Sequence, residues 1–182
     1  PAIPGFAGPP AGSFWIAPSI RHVERAHDGA KYGRISEDPV VELRFPSVTQ
    51  PNLAPPGMHV AMLRVQYTPW RLREGGWETA RVTMAERALA AVERQVPGFA
   101  TRIAHQSVLA PPDLEARFGL TEGAVSRGEV ALDQLLFMRP VAGFGRHGTP
   151  LPGLYLCGAG MHPGPGLTGL SGLLAARAAL RR

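Results

Sequence analysis

Residues 151–182, LPGLYLCGAGMHPGPGLTGLSGLLAARAALRR, decide how the chain is read. A short apolar run over residues 154–157 (LYLC) has the length and residue types of a buried strand. It stops at Gly158 and gives way to a loop with glycine at positions 158, 160, 164, 166, 169 and 172. Beyond the loop, Leu170, Leu173, Leu174, Ala178 and Leu180 recur near three-and-four spacing, which predicts a helix with one apolar stripe.

Strand, glycine loop and helix together have a physical use. The first N–H groups of a helix lack intrahelical partners and lie at the positive end of its dipole, so an electron-rich oxygen docks there. Glycine removes Cβ and admits positive φ, which lets the backbone approach a flat ligand closely. The competing reading is a strand-to-helix turn that is glycine-rich only for tight packing. Glycine spacing alone does not separate the two.

Composition narrows the class. The 182 residues suffice for a real core, in one domain or two small ones. With 45% hydrophobic and 18% charged residues the chain is globular rather than disordered. The net charge of +5 comes almost wholly from arginine, with Lys31 the only lysine, and no basic run interleaved with aromatics appears. That dispersal argues against nucleic-acid binding. No apolar stretch reaches the ~18 residues of a membrane span, and no signal peptide opens the sequence. The single Cys157 excludes an internal disulfide, which fits a reducing intracellular compartment. Set in an apolar strand, it reads as a small buried hydrophobe. The chain begins at Pro1 rather than methionine, so a fragment lacking an N-terminal partner half is expected.

In chain order, residues 1–12 are rich in proline and glycine and read as a linker or entering loop. Residues 13–17 (SFWIA) read as a strand, and Ser19 is the expected N-cap of a helix through SIRHVERAHDGAKYG. Residues 40–45 (VVELRF) and 59–67 (HVAMLRVQY) carry strand patterns. Residues 77–96 form the clearest helix, with Ala85, Leu89, Val92 and Val96 as its stripe and Pro97-Gly98 as its stop. Residues 101–109 read as a further strand, and Pro111-Pro112-Asp113 opens a short helix. Residues 119–128 form a loop, and 133–138 (DQLLFM) a short apolar piece before Arg139-Pro140 turns the chain. Because strand and helix do not alternate regularly, a doubly wound sheet is not expected. The reading is α+β: a small mixed domain, then one strand-loop-helix piece of a dinucleotide-binding kind.

Several groups follow one another in a fixed order: Pro46-Ser47 with Leu53-Ala54-Pro55-Pro56-Gly57, Thr68-Pro69-Trp70 with Trp77, and Pro111-Pro112-Asp113-Leu114-Glu115 with Phe118-Gly119-Leu120. The order continues in Leu132-Asp133-Gln134-Leu135, Arg139-Pro140, Thr149-Pro150, the run GLYLCGAG over 153–160, and His162-Pro163-Gly164. Together these groups resemble the C-terminal part of the phytoene desaturase-like FAD-dependent oxidoreductases. The likeness is strongest to the branch called pyridine nucleotide-disulfide oxidoreductase domain-containing protein 2.

The resemblance implies a mixed-sheet substrate-domain part over 13–110, a loop-rich return over 111–150, and the terminal strand-loop-helix of a Rossmann-like FAD-binding domain over 151–182. It implies FAD as cofactor, an apolar or amphipathic substrate giving up hydride to flavin, and a partner N-terminal half carrying the pyrophosphate turn. No G-x-G-x-x-G follows an early strand here, so the fragment alone is expected to be inactive. Two departures stand out: Pro165 interrupts the glycine run after His-Pro, and Ser171 with Leu173-Leu174 replaces the helix's usual proline and asparagine. A flavin-fold relative serving as a non-catalytic interaction or structural module is the other function class.

The implied cofactor-binding residues are Gly158, Ala159, Gly160, Gly164, Gly166, Leu167, Thr168 and Gly169, with Arg139 neutralising charge on flavin or phosphate or else forming an ordinary salt bridge. His162 is the single titratable group of the terminal loop and the one catalytic candidate, set against a plain loop histidine. Asp113 and Glu115 are accounted for by the dipole and cap of a helix start. Trp70, Trp77 and Tyr67 line an apolar pocket or fill a core. No metal-ligand spacing and no nucleophile-base set appears.

Overall fold

Alternating apolar residues produce three short strands in the computed structural model, which describes residues 11–125 and 131–181. They are β1 (Ser13–Ile16), β2 (Val41–Arg44) and β3 (Met62–Val65). Both neighbouring pairs are antiparallel, in the order β1-β2-β3. The expected mixed sheet is therefore corrected: among the described residues it is wholly antiparallel, because each strand pairs with the one before it in sequence and the chain reverses in between. The α+β class stands.

Five helices accompany the sheet among the described residues: α1 (Ile20–Lys31), α2 (Pro46–Thr49), α3 (Trp77–Gln95), α4 (Pro111–Phe118) and α5 (Leu170–Leu180). Ser19 caps α1 as expected, its hydroxyl accepting from His22 N–H at 3.2 Å. Asp113 ties down the start of α4, accepting from Ala110 N–H at 2.7 Å while Arg81 holds its other oxygen at 2.8 Å. The chain divides into two units, Pro1–Asp113 and Leu114–Arg182.

The core of the first unit lies between the sheet and α3. Register puts Phe14, Leu43 and Leu63 in one row and Ile16, Val41 and Val65 in the next, all on one face. Against them pack Ala88, Ala91, Val92, Val96 and Phe99. The buried stripe of α3 runs through Met84, Ala88, Ala91 and Val92, one residue round from the expected Ala85–Leu89 line. Alanine at 88 and 91 lets the helix axis approach the sheet, and Leu89 packs at the edge of the core. Trp77 Nε1 donates to Trp70 O at 2.8 Å, so these two tryptophans brace the entry to α3.

Two expected strands are absent. Residues 101–109 hold a 3-10 turn at Ala100–Arg102 and no strand, because the Glu93 carboxylate captures Gly98 N–H at 2.5 Å and Ala100 N–H at 2.9 Å and curls the chain beyond α3. Residues 154–157 hold a single bridge, Tyr155 to Gly148. The strand expected over 59–67 shrinks to β3 and is followed by Tyr67 at φ 57°, where a ladder cannot continue. Most of the expected entering loop 1–12, and residues 126–128 of the expected loop 119–128, lie outside the described residues. The second unit is built from 3-10 turns at Thr121–Gly123, Leu132–Gln134 and Leu136–Met138, then turns leading into α5. No described helix is long and apolar enough to cross a membrane.

Two predictions follow from this packing. The N–H groups of Ala100 and Gly98 hold the Glu93 carboxyl below the ordinary glutamate value of 4.5. A depressed folded value means stability that is fully present above the unfolded value of about 4.3 and lost as pH falls through the folded one. Urea midpoints of the wild type and Glu93→Gln, compared from neutral pH downward, should differ by a constant amount and then draw together as pH falls below about 4.3. A constant gap through the acid range would show that the carboxylate charge is irrelevant. Gly33 sits at φ 69°, and an added Cβ would lie 2.9 Å from Arg73 N and 3.1 Å from Arg71 O. Gly33→Ala should cost about 1–3 kcal/mol in a denaturation series, and an unchanged midpoint would contradict the close approach.

Candidate functional site

The glycine loop of the second unit is a chain of tight turns. Met161 N–H donates to Gly158 O at 3.1 Å and Gly164 N–H to Met161 O at 2.7 Å, and the Met161 side chain is buried beneath them. Positive φ occurs at Gly158 (95°), Gly164 (104°), Gly166 (146°) and Gly169 (69°). At Gly158, Gly160 and Gly169 an added Cβ would meet no heavy atom within 4 Å, so the backbone there faces open space. The loop is thus bare at these three glycines, where no side chain stands over the Cα.

Side chains lying outside the loop hold its shape. Ser171, buried in the first turn of α5, accepts from Gly158 N–H at 3.0 Å. Arg139, also buried, donates through Nε to Gln134 O at 2.9 Å and through a terminal nitrogen to Ala159 O at 2.8 Å. Its guanidinium passes beside Gly164, whose Cβ would stand 3.9 Å away. His147, buried and at φ 69°, donates from Nδ1 to Leu156 O at 3.0 Å, and its own carbonyl accepts from Leu156 N–H at 2.8 Å. Gly145 has no room for a side chain, since its Cβ would lie 2.7 Å from Phe137 O.

Helix α5 begins after Gly169, its N-cap. Leu170 N–H donates to Thr168 Oγ1 at 3.3 Å, and the remaining first-turn N–H groups have no intrahelical acceptor by the geometry of any helix start. The helix follows the expected residues, but its buried side chains are Ser171 and Ala175. Leu170, Leu173 and Leu180 of the expected stripe are exposed. Small residues let the helix lie close to the loop, and the leucine side is left uncovered. Pro165 and Leu167 are also exposed, Leu167 fully so.

His162 is half-buried, and its Nδ1 has no hydrogen-bond partner among the described residues. Cys157 is exposed, which corrects the expectation of a buried hydrophobe. The reason is the missing strand: without neighbours on both sides, Leu154, Leu156 and Cys157 stay at the surface. Sequence reasoning passed over Ser171, which it treated only as a departure, and His147, which carries no local signal. It also passed over Gly164-Pro165-Gly166-Leu167-Thr168-Gly169, which has G-x-G-x-x-G spacing directly before a helix. Turns rather than a strand precede it, so it lacks the context of the dinucleotide fingerprint. No cluster of metal-binding side chains occurs among the described residues.

No family model matches the chain. It is 42% identical over 161 residues to the pyridine nucleotide-disulfide oxidoreductase domain-containing protein 2 of mouse, covering 87% of this chain and 28% of that protein. The rat protein of the same name matches at 42% over 161 residues, with the same shares. A lycopene-forming phytoene desaturase from a Paracoccus species is 28% identical over 153 residues, covering 84% of this chain and 30% of the desaturase. The chain therefore spans less than a third of the length of these curated relatives, and the resemblance to the phytoene desaturase-like oxidoreductases is borne out.

The Gly158 to Ser171 hydrogen bond joins the loop to the helix. Ser171→Ala would orphan that N–H at a cost of about 1 kcal/mol, while Ser171→Thr keeps an acceptor. Amide exchange at Gly158 should accelerate in the alanine variant and not in the threonine one. Equal exchange in both would show that the hydroxyl does not hold the loop.

Proposed function

We propose that this chain is the C-terminal portion of an FAD-dependent oxidoreductase of the phytoene desaturase-like kind, transferring hydride from an apolar or amphipathic substrate to flavin. Residues 13–110 form part of the substrate domain, 111–150 the return segment and 151–182 the terminal part of a Rossmann-like cofactor domain. The observation that carries the reading is the bare glycine backbone at the positive end of α5, in a chain 42% identical to a protein named for an oxidoreductase domain.

The residues present fit such a cofactor. Gly158, Gly160 and Gly169 leave the backbone open to a flat ring. Ala159 and Gly164 are fixed in place beside Arg139, and Gly166, Leu167 and Thr168 lead into the helix. When bound, FAD supplies the hydride acceptor. The start of α5 favours partial negative charge on an oxygen or nitrogen brought to it, which is electrostatic rather than acid-base assistance. Arg139 acts by shaping the loop through the carbonyls it holds. His162 adds at most a contact, and no residue here is required as a general base. The uncovered leucines of α5 are the side that the N-terminal half of the complete polypeptide covers.

Two measurements test the reading. Titration of this chain alone with FAD should give weak or no binding, since the pyrophosphate turn lies elsewhere, and sub-micromolar binding would refute the half-site. In the complete polypeptide, Gly166→Val forces a side chain into φ 146° at a strain of about 1–3 kcal/mol and should lose flavin, while His162→Ala retains flavin and most turnover. Full flavin content in the glycine variant, with activity abolished in the histidine variant, would make His162 the catalytic residue instead.

A further inference from the structure

The outer face of the three-stranded sheet is not an ordinary solvated surface. Register sets Trp15, Glu42 and Arg64 in one row and Ser13, Arg44 and Met62 in the next. Directly opposed side chains stand about 4.5–5.5 Å apart at Cβ. Glu42, on the central strand, is only 1% exposed although it points away from the core of the unit. Arg44 covers it, donating from Nε to Oε1 at 2.6 Å, and Arg64 approaches Oε2 at 4.0 Å. Trp15 is 55% exposed and Met62 43%, so the two apolar side chains stand in the open beside the cations.

Two guanidinium groups share one carboxylate, which leaves one positive charge in excess. Both arginine side chains remain about half exposed, at 48% and 49%. The 4.0 Å approach of Arg64 is too long for a hydrogen bond, so its planar fork keeps donors for a second acceptor. Tryptophan, methionine and arginine are also the side chains enriched where protein surfaces bind partners. An arginine fork suits a carboxylate in bidentate geometry. Met62, two residues from Arg64 on the same face of β3, and Trp15, on β1 beyond Glu42, suit an apolar body attached to that carboxylate and lying across the sheet. A surface that was acidic throughout would leave Trp15 and Met62 without a counterpart.

We propose that this sheet face binds a carboxylate-bearing amphipath, with the carboxylate on Arg64 and the apolar body across Trp15 and Met62. Glu42 buried beneath pairs with Arg44 and competes with the ligand for Arg64, so it sets how much positive charge the face offers. The site lies wholly within the first unit and does not depend on the flavin reading.

The test titrates the 182-residue chain with decanoate and with decan-1-ol, following the indole N–H signal of Trp15, assigned by loss of the signal in Trp15→Phe. Decanoate should shift that signal saturably, with decan-1-ol at least about tenfold weaker, the loss expected for one charge-assisted hydrogen bond. Arg64→Gln should weaken decanoate about tenfold and leave decan-1-ol unchanged, while Arg21→Gln, on an exposed face of α1, has no effect. Glu42→Gln removes the competing carboxylate and should tighten decanoate, so the idea stays testable if the Arg64 variant does not fold. Equal affinity for acid and alcohol would reduce the face to a plain apolar patch. Indifference to both the Arg64 and Glu42 changes, or no shift of the Trp15 signal, would overturn the proposal.

Discussion

The second unit turns on one hydrogen bond, from Gly158 N–H to the buried hydroxyl of Ser171. A single bond of this type contributes on the order of 1 kcal/mol, so its importance lies in where it acts rather than in its strength. It fixes the first glycine of the loop to the first turn of the helix that the loop leads into. A glycine-rich backbone otherwise loses more conformational freedom on folding than any other and has no side chains of its own to offset the loss. The restraint therefore has to come from outside. Arg139 supplies it at Ala159 and His147 at Leu156, so three side chains distant in sequence shape a segment that cannot shape itself.

The first unit uses the opposite solution. Its strands are four residues long and would be marginal alone, but β2 is flanked on both edges and covered on one face by α3. Val41 and Val92 are fully buried where sheet and helix meet, and each such side chain contributes about 1.5–3 kcal/mol. Apolar contact gives this unit its order, whereas the second relies on hydrogen bonds to backbone carbonyls and amides.

That difference explains what could be read from the sequence. Helices α1, α3 and α4 were legible because their signals are local: Ser19 before α1, Pro97-Gly98 after α3, Pro111 at the head of α4; the single turn of α2 was not expected. β1 and β2 were legible because β-rich runs lay between clear breakers. Residues 101–109 and 154–157 also read as strands, yet a strand exists only if another strand pairs with it, and that depends on distant chain. Glycine positions in the terminal loop were visible, and positive φ at 158, 164, 166 and 169 is what glycine permits. The groups holding that loop were not. Arg139 stood out as a charge, but its acceptors are carbonyls 5 and 20 residues away. His147 adopts a left-handed backbone that no side-chain pattern announces.

Cys157 adjoins Gly158, at the edge of the tethered loop, and is the one thiol in the chain. Its exposure makes it a ready attachment point for a nitroxide or an environment-sensitive fluorophore, with no engineered cysteine and no competing site. A probe there would sit one residue from the Ser171 anchor, so its mobility would report directly on whether the loop is held or released. The same exposure makes the position open to oxidation, which would place a charged or bulky group beside Gly158.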